Sequence, residues 1–355
     1  MSRRLILGVG RSSILPPATD IFGVPLRSVP PLYEMQESGG TGPGIVGVGG
    51  AERPRHPPFR AEDEAVAPQS TNPRAGATVV RVTVDPPKIT YARHPVHAPA
   101  IYEHGPDSVR QPGVPVGRVI RLEMPHSHVY PGISRTVQLY APAQYAPGEP
   151  AALMVFQDGQ LYLDPDGDIR AGIVLDNLIA RGEMPVTIGV FVDPGSPSNR
   201  NREYDASDDR YASFLLDEII PRVREQFTIT DDPDHWAICG GSSGGNCALT
   251  VAWNRPDHFR RVISFVGSFA QMPGGNPYPT LIRTTPARPL RVFLQAGSRD
   301  LNWDQPVENW YSENLLVAAA LAERSYDHRL VLGDGGHSTN HGGAILPDAL
   351  RWIWR

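Results

Sequence analysis

From residue 152 onward, short apolar segments alternate with longer amphipathic ones, and this alternation constrains the fold more than any other feature. "ALMVFQD" (152–158) and "VTIGVFVD" (186–193) have the length and apolar continuity of buried strands. Helical patterns lie between the strands; the longest covers 207–227, and the last is "AILPDALRWIW" (344–354). Strands that alternate with helices in this way form a mostly parallel sheet with helices on both faces. The sequence therefore predicts an α/β fold.

The composition changes near residue 125, because about half of the 37 prolines lie before that point. Residues 1–76 mix Pro, Gly and Arg with little periodicity, so we expect a flexible or irregular extension there. Residues 77–355 are predicted to form the folded domain. Its first strands alternate apolar and polar residues and would start an antiparallel edge of the sheet: 78–85, 117–124 and 134–142.

Charge and hydropathy narrow the classes of partner. The net charge of −5 gives no support for a nucleic-acid or anionic-membrane partner. No apolar run approaches the roughly 18 residues of a membrane span. The apolar run Leu5–Val9 is shorter than the hydrophobic core of a secretory signal, so a cytoplasmic location is slightly favoured. Cys239 and Cys247 are too few for a disulfide framework, and we expect both to be small buried apolar residues rather than a catalytic or metal-binding pair.

The segment "CGGSSGGNCA" (239–248) fits the pattern G-x-S-x-G in two frames, one centred on Ser242 and the other on Ser243. A strand pattern precedes it and a helix pattern follows, which is the context of a nucleophile elbow. The strand stops at Gly240, so Gly240 should be the glycine two residues before the nucleophile. This favours Ser242, with the backbone N–H of Ser243 as an oxyanion donor; the Ser243 frame stays open.

A serine nucleophile needs a base, and the base needs a group that orients it. Asp300 lies in the loop after the strand pattern that ends at Gly297, with Asp304 and Asp334 as weaker alternatives. "DGGHSTNHGG" follows the next strand pattern and offers His337 as the base. The alternative base is His341, which lies farther from the end of the strand.

The second oxyanion donor is expected after an earlier strand, in "LMVFQDGQLY" (153–162). Gly159 would let a backbone N–H point inward, so Gly159 or Gln160 is the candidate donor. A plain structural turn is the alternative for this segment. A phosphate-binding loop at 239–248 is disfavoured, because no lysine follows its glycines.

With these motifs identified, the chain resembles the esterase D and enterochelin-esterase-like family of α/β-hydrolases from about Gly105 to Arg355. The resemblance is carried by "YPGISRTVQLYAPAQY", "MVFQDGQ", "NRNREYD", "ICGGSSGGNCA", "GSRD" and "GDGGHS". It implies the α/β-hydrolase fold after an irregular Pro/Gly-rich segment, and it assigns nucleophile, acid and base to Ser242, Asp300 and His337. It also places "NRNRE" (199–203) near the active site, although a structural ion-pairing role for Arg202 and Glu203 is an equal alternative.

Members of that family include enterochelin, feruloyl and acetylxylan esterases, S-formylglutathione hydrolases and mycolyl transferases. The resemblance thus implies a serine carboxylic-ester hydrolase, with no metal or organic cofactor, acting on small phenolic, siderophore-type or sugar esters. An acyltransferase of the same family and a non-catalytic binding protein with this fold are the alternatives. Three aromatic residues could line the substrate pocket, although core packing is the default expectation for them: Tyr278, Trp303 and Trp310.

Overall fold

The structure, a computed structural model, describes residues 99–355, and all of these belong to one compact unit. The expectations for an irregular extension over 1–76 and for a strand over 78–85 lie outside the described residues.

An eight-stranded sheet forms the centre of the described part, and every strand predicted within that part is present. Its order is β1-β2-β4-β3-β5-β6-β7-β8. The strand bounds are β1 Arg118–Met124, β2 Arg135–Ala141, β3 Ala152–Gln157, β4 Thr187–Val192, β5 Trp236–Gly241, β6 Arg261–Phe265, β7 Arg291–Arg299 and β8 Asp327–Gly336.

The pairing is antiparallel at one edge of the sheet and parallel elsewhere. β1 pairs with β2, and β2 with β4, in antiparallel register, for example Ile120 opposite Leu139. From β4 through β3 to β8 every pair is parallel. The antiparallel edge and the mostly parallel sheet are therefore confirmed.

Helices cover both faces of the sheet, as the alternation of strands and helices predicts. They are α1 Gly159–Leu163, α2 Ala171–Ala180, α3 Pro197–Tyr204, α4 Arg210–Phe214, α5 Ile220–Arg224, α6 Ser243–Asn254, α7 Tyr278–Thr284, α8 Trp310–Glu323 and α9 Asn340–Trp354. Successive strand residues point to opposite faces, so Val155 packs in the core under α6 while Phe156 packs in the core under α2 and α9. Burial on both faces explains why the central strands are continuous apolar runs.

The prediction of one regular helix over 207–227 is wrong in detail. Two short helices, α4 and α5, flank a π-helical turn over Leu215–Ile219. Pro221 lies in the first turn of α5 and has no N–H to donate to the carbonyl of Asp217, so regular α-helical bonding cannot run through this point. The short helices α1, α3 and α7 were not predicted, because each has fewer than nine residues and too little apolar periodicity to detect.

The parallel strands bring distant parts of the chain to one edge of the sheet. Because β3, β5, β7 and β8 run in the same direction, the loops after them emerge at the same edge. These loops carry Gly159, Ser242, Asp300 and His337, which the sequence analysis singled out separately.

Candidate active site

The turn between β5 and α6 has the geometry of a nucleophile elbow centred on Ser242. Ser242 has φ 58° and ψ −129°, a strained conformation for a residue with a side chain. A Cβ atom on Gly240 would lie 2.3 Å from the carbonyl oxygen of Gly244, so the turn closes only with glycine at that position. A Cβ on Gly241 would meet nothing closer than 3.4 Å. At the position two residues before the serine, the steric requirement for glycine therefore falls on the frame centred on Ser242.

A continuous chain of hydrogen bonds joins three of the predicted residues. The Nε2 atom of His337 lies 2.8 Å from the hydroxyl oxygen of Ser242, and its Nδ1 atom lies 2.6 Å from Oδ1 of Asp300. An ionised Asp300 can only accept, so Nδ1–H donates to it and Nε2 is left to accept from the Ser242 hydroxyl. This is the tautomer that a general base needs.

The side chains of Asp300 and His337 are both held away from solvent. Asp300 is fully buried, and its Oδ1 also accepts from the backbone N–H of Leu301 at 2.7 Å. The ring of Trp310 packs edge-on against the imidazole of His337, with centroids 4.7 Å apart. The imidazole is therefore fixed by a carboxylate on one side and an indole on the other.

The alternative acids and bases lie elsewhere. His341 is on α9, where its ring stacks on Tyr102 and its Nδ1 contacts Gln295, and burial lowers its pKa to about 4. Asp334 contacts the hydroxyl of Ser298. Asp304 is exposed. None of the three makes a hydrogen bond to Ser242 or His337 within residues 99–355.

The segment after β3 supplies the expected loop beside the elbow. A Cβ on Gly159 would lie 2.6 Å from the backbone carbon of Phe191, so only glycine fits. The N–H of Gln160 donates to Oδ1 of Asp193 at 3.0 Å, whereas the N–H of Gly159 has no hydrogen-bond acceptor within residues 99–355. Burial raises the pKa of Asp193. Of these two candidates, Gly159 is therefore the one whose amide has no competing acceptor. Ser243, the other residue expected to donate, is the first residue of α6.

A buried ion pair, which the sequence analysis missed, ties this loop to the elbow. Asp158 has a left-handed backbone, φ 54°, and accepts two hydrogen bonds of 2.8 Å from Arg200 on α3. Arg200 also donates to the backbone carbonyl of Gly241 at 3.2 Å. The "NRNRE" segment thus contributes to the site through Arg200. One indication of this pair was present in the sequence. The strand pattern 152–158 ends in Asp158, and the arginine-containing segment "NRNRE" follows the next strand pattern.

Of Arg202 and Glu203, the two residues for which a structural ion pair was the alternative, only Glu203 forms one in the described part of the chain. Glu203 is buried and forms a bidentate pair with Arg135 of β2, with distances of 2.6 and 2.8 Å. Arg202 is exposed and forms no salt bridge within the described part of the chain. The pair between Glu203 and Arg135 fixes α3, and with it Arg200, against the antiparallel edge of the sheet.

Other buried polar groups lie beneath the elbow. Asp205, at the end of α3, accepts from Gln271, and burial raises its pKa to about 6. Cys239 and Cys247 are both buried free thiols, as expected, and burial raises the pKa of each. A thiol held in its neutral form is a poor nucleophile, so neither cysteine competes with Ser242.

Of the three aromatic candidates, the core-packing expectation holds for Tyr278 and fails for Trp303. Tyr278 is 1% exposed, and its hydroxyl bonds to Thr250. Trp303 is 46% exposed and packs against the guanidinium of Arg299 at 4.5 Å. Trp310 is buried but contacts His337. Trp310 therefore lies next to His337 in space, and Trp303 lies close to Asp300 in the sequence.

Three further observations concern the rest of the described structure. A cleft of about 420 Å³ surrounds Trp236, the first residue of β5, whereas Ser242 follows the last residue of that strand, so this cleft is remote from the elbow. Residues 99–355 contain no group of three or more His, Cys, Asp or Glu side chains arranged to hold a metal ion. No helix in the same range combines the length and apolar character needed to cross a membrane.

Comparison with known proteins identifies the family. The model of the Esterase family, described as "Putative esterase", matches residues 129–352. The iron(III) enterobactin esterase of Dickeya dadantii is 29% identical over 225 residues, which cover 58% of this chain and 48% of that protein. The Escherichia coli K12 iron(III) enterobactin esterase is 27% identical over 173 residues, 47% of this chain and 42% of that protein. The chain thus spans about half the length of these curated relatives.

Solved structures agree in fold. The enterobactin esterase of Shigella flexneri, crystallised in the presence of enterobactin, superposes with a TM-score of 0.60 at 22% identity, covering 70% of this chain and 61% of that one. The ferulic acid esterase of Anaeromyces mucronatus superposes with a TM-score of 0.55 at 17% identity, covering 71% and 97%. The fold class is thus the predicted α/β-hydrolase fold. With a family model matching more than half of its length, the chain belongs to the Esterase family.

Proposed function

We propose that this protein is a serine carboxylic-ester hydrolase in which Ser242 attacks the ester carbonyl and His337 is the general base. The observation that carries the proposal is the hydrogen-bond chain from the Ser242 hydroxyl through His337 to Asp300. His337 takes the proton of Ser242 as the bond to the acyl carbon forms, and Asp300 stabilises the resulting imidazolium. The backbone N–H groups of Ser243 and Gly159 are the proposed donors to the oxyanion.

The two halves of the reaction use the same groups. After attack, His337 returns its proton to the leaving alcohol, and an acyl group remains on Ser242. A water molecule then gives its proton to His337 and attacks the acyl carbon, which releases the acid. The proposed substrates are phenolic, siderophore-type or sugar esters. Similarity to two iron(III) enterobactin esterases favours the siderophore-type ester among these.

The test compares the two neighbouring serines. Ser242→Ala removes the attacking oxygen and should lower kcat for a p-nitrophenyl ester roughly 10⁴-fold or more, with loss of covalent fluorophosphonate labelling. Ser243→Ala is the matched control: its proposed contribution is a backbone N–H, which alanine retains, so we expect labelling to persist and kcat to fall by no more than about tenfold.

The opposite ranking of the two variants would move the nucleophile to Ser243. Labelling of both variants would remove this turn from the chemistry, and failure of the unmodified protein to label would favour a binding protein. Release of acid in the presence of an added alcohol or sugar acceptor distinguishes hydrolysis from acyl transfer. The same assay with catecholate, feruloyl and acetyl-sugar esters ranks the proposed substrates.

A further inference from the structure

A second hydroxyl lies against the proposed nucleophile. The Oγ atom of Ser268 is 3.0 Å from the Oγ atom of Ser242, and both side chains are fully buried. Within residues 99–355 the Ser268 hydroxyl has Ser242 as its one side-chain hydrogen-bond partner. The backbone N–H of Ser268 also donates to the carbonyl of Ser242 at 3.1 Å. Ser268 therefore contacts the elbow through its main chain and its side chain together.

The turn that presents Ser268 is strained and closely held. Val266, directly after β6, has φ 42°, a left-handed conformation that is a marked outlier for a β-branched residue. Its N–H donates to the carbonyl of Gln295 at 2.8 Å, and Asn314 of α8 donates to the carbonyl of Gly267 at 2.8 Å. A Cβ on Gly267 would lie 2.6 Å from the ring of Phe269. Strain of this kind persists only where the surroundings impose it, and it is concentrated at functional sites.

The direction of the hydrogen bond follows from the number of protons. Ser242 has one hydroxyl proton, and general-base catalysis requires that it point at Nε2 of His337. The contact between the two serines must then use the proton of Ser268, which donates to a lone pair of Ser242 Oγ. Ser268 in turn has no acceptor other than Ser242 among the described residues that would compete for this proton.

We propose that Ser268 is a further catalytic residue, whose hydroxyl donates a hydrogen bond to Ser242 Oγ and stabilises the negative charge that develops there. This inference rests on the proposed function. As the proton of Ser242 passes to His337, the Oγ lone pair forms the bond to the acyl carbon, and Ser268 keeps its own proton. In deacylation the bond between Oγ and the acyl carbon breaks, its electron pair returns to Oγ, and His337 donates a proton there. A hydrogen bond to a charged oxygen is stronger than one to a neutral oxygen, so Ser268 assists both steps.

The experiment measures both steps with p-nitrophenyl acetate, the initial burst for acylation and the steady state for deacylation. Ser268→Ala removes the hydroxyl and keeps the backbone N–H that holds the elbow. We expect both rates to fall roughly 5- to 30-fold with KM unchanged, because the two steps lose the same interaction. Ser268→Thr retains a hydroxyl and should recover most of the lost rate.

The matched control is Ser264→Ala on β6. Ser264 is also fully buried, but its hydroxyl has no hydrogen-bond partner among the described residues and so makes no hydrogen bond to Ser242. The burst and steady-state rates of Ser264→Ala should stay within about twofold of those of the unmodified protein. Unchanged or faster rates in Ser268→Ala would overturn the inference, as would a loss that Ser264→Ala shares and Ser268→Thr does not reverse. Either result leaves the role of Ser242 intact, because that role depends on the labelling of Ser242→Ala.

Discussion

At the scale of single residues, two histidines that follow the same strand make different contacts and so can have different roles. His337 and His341 both follow β8, yet one contacts Asp300 and Ser242 while the other stacks on Tyr102. His341 is also buried, and burial disfavours its charged form. Distance from the end of the strand favoured His337 in the sequence, and the hydrogen bonds of the structure separate the two histidines in the same sense.

The burial of His341 predicts a pH-dependent contribution to stability. Burial lowers its pKa from 6.5 to about 4, so on acidification the unfolded chain binds a proton before the folded protein does. The contribution is fully present above pH 6.5 and is lost as the pH falls through 4, a change of up to about 3 kcal/mol. His341→Gln keeps an acceptor for Gln295 but cannot titrate. Its deficit in Tm relative to the unmodified protein should therefore shrink between pH 7 and pH 4.5, measured by thermal unfolding.

Comparing the variant with the unmodified protein cancels the other titrating groups. Asp205 acts in the opposite sense: burial raises its pKa to about 6, so the folded protein loses stability as the pH rises from 4 to 6. That dependence is common to both proteins. A difference in Tm that stays constant from pH 7 to pH 4.5 would contradict the assigned environment of His341.

At the scale of elements, the loop after β3 and the turn after β5 are joined by α3. Arg200 on α3 bonds to Asp158 in the loop and to the carbonyl of Gly241 in the turn. Both side chains of the ion pair are 5% exposed or less. A buried ion pair stabilises little in net terms, but removal of one partner leaves an uncompensated charge. The pair therefore fixes the spacing between the proposed oxyanion donors and Ser242.

Asp158→Asn tests this connection with little change in shape. Asparagine tolerates the left-handed backbone of residue 158, so the substitution mainly removes the negative charge that balances Arg200. We expect the free energy of unfolding in urea to fall by about 3 kcal/mol, and kcat for a p-nitrophenyl ester to fall with it. Asp231→Asn is the control, because Asp231 pairs with Arg224 but is 89% exposed, and it should leave stability and rate unchanged. Equal effects from both substitutions would argue against a specific role for the buried pair.

At the scale of the whole molecule, the described sheet, its helices and the hydrogen-bonded cluster all lie within residues 99–355. The match to the Esterase family starts at residue 129, inside this range. Residues 1–76 lie outside the family-like region and have a composition unsuited to a packed core. We therefore propose that the catalytic domain is 77–355.

A chain shortened to begin at Ala77 tests that boundary. It should remain soluble and hydrolyse a p-nitrophenyl ester at close to the rate of the full chain. A chain that begins at Arg135 is the control: it lacks β1 and so exposes the edge of β2, and we expect it to aggregate. Insolubility or loss of most activity in the chain beginning at Ala77 would mean that the first 76 residues belong to the domain or cover its site.

The sequence by itself determined the strands along the chain from residue 117 onward, a mostly parallel sheet with an antiparallel edge, and the position of the elbow. These features rest on local patterns: apolar runs buried on two faces, and glycine where the backbone allows no Cβ, as at Gly240. The preference for Ser242 over Ser243 came from a strand pattern that stops at Gly240, although β5 continues to Gly241 in the structure. Local periodicity did not reveal the π-helical turn before Pro221 or the short helix α3, because neither has a run long enough to show a period.

Only the tertiary structure decided which distant side chains meet. Asp158 and Arg200 are 42 residues apart, and Ser242 and Ser268 are 26 apart, and neither pair follows a motif spacing. Their contacts depend on the packing of α3 against α6 and on the left-handed turn at Val266, which tertiary packing fixes. Strand and helix patterns record which face of an element is buried. These patterns do not show which polar groups will face each other where the ends of parallel strands come together.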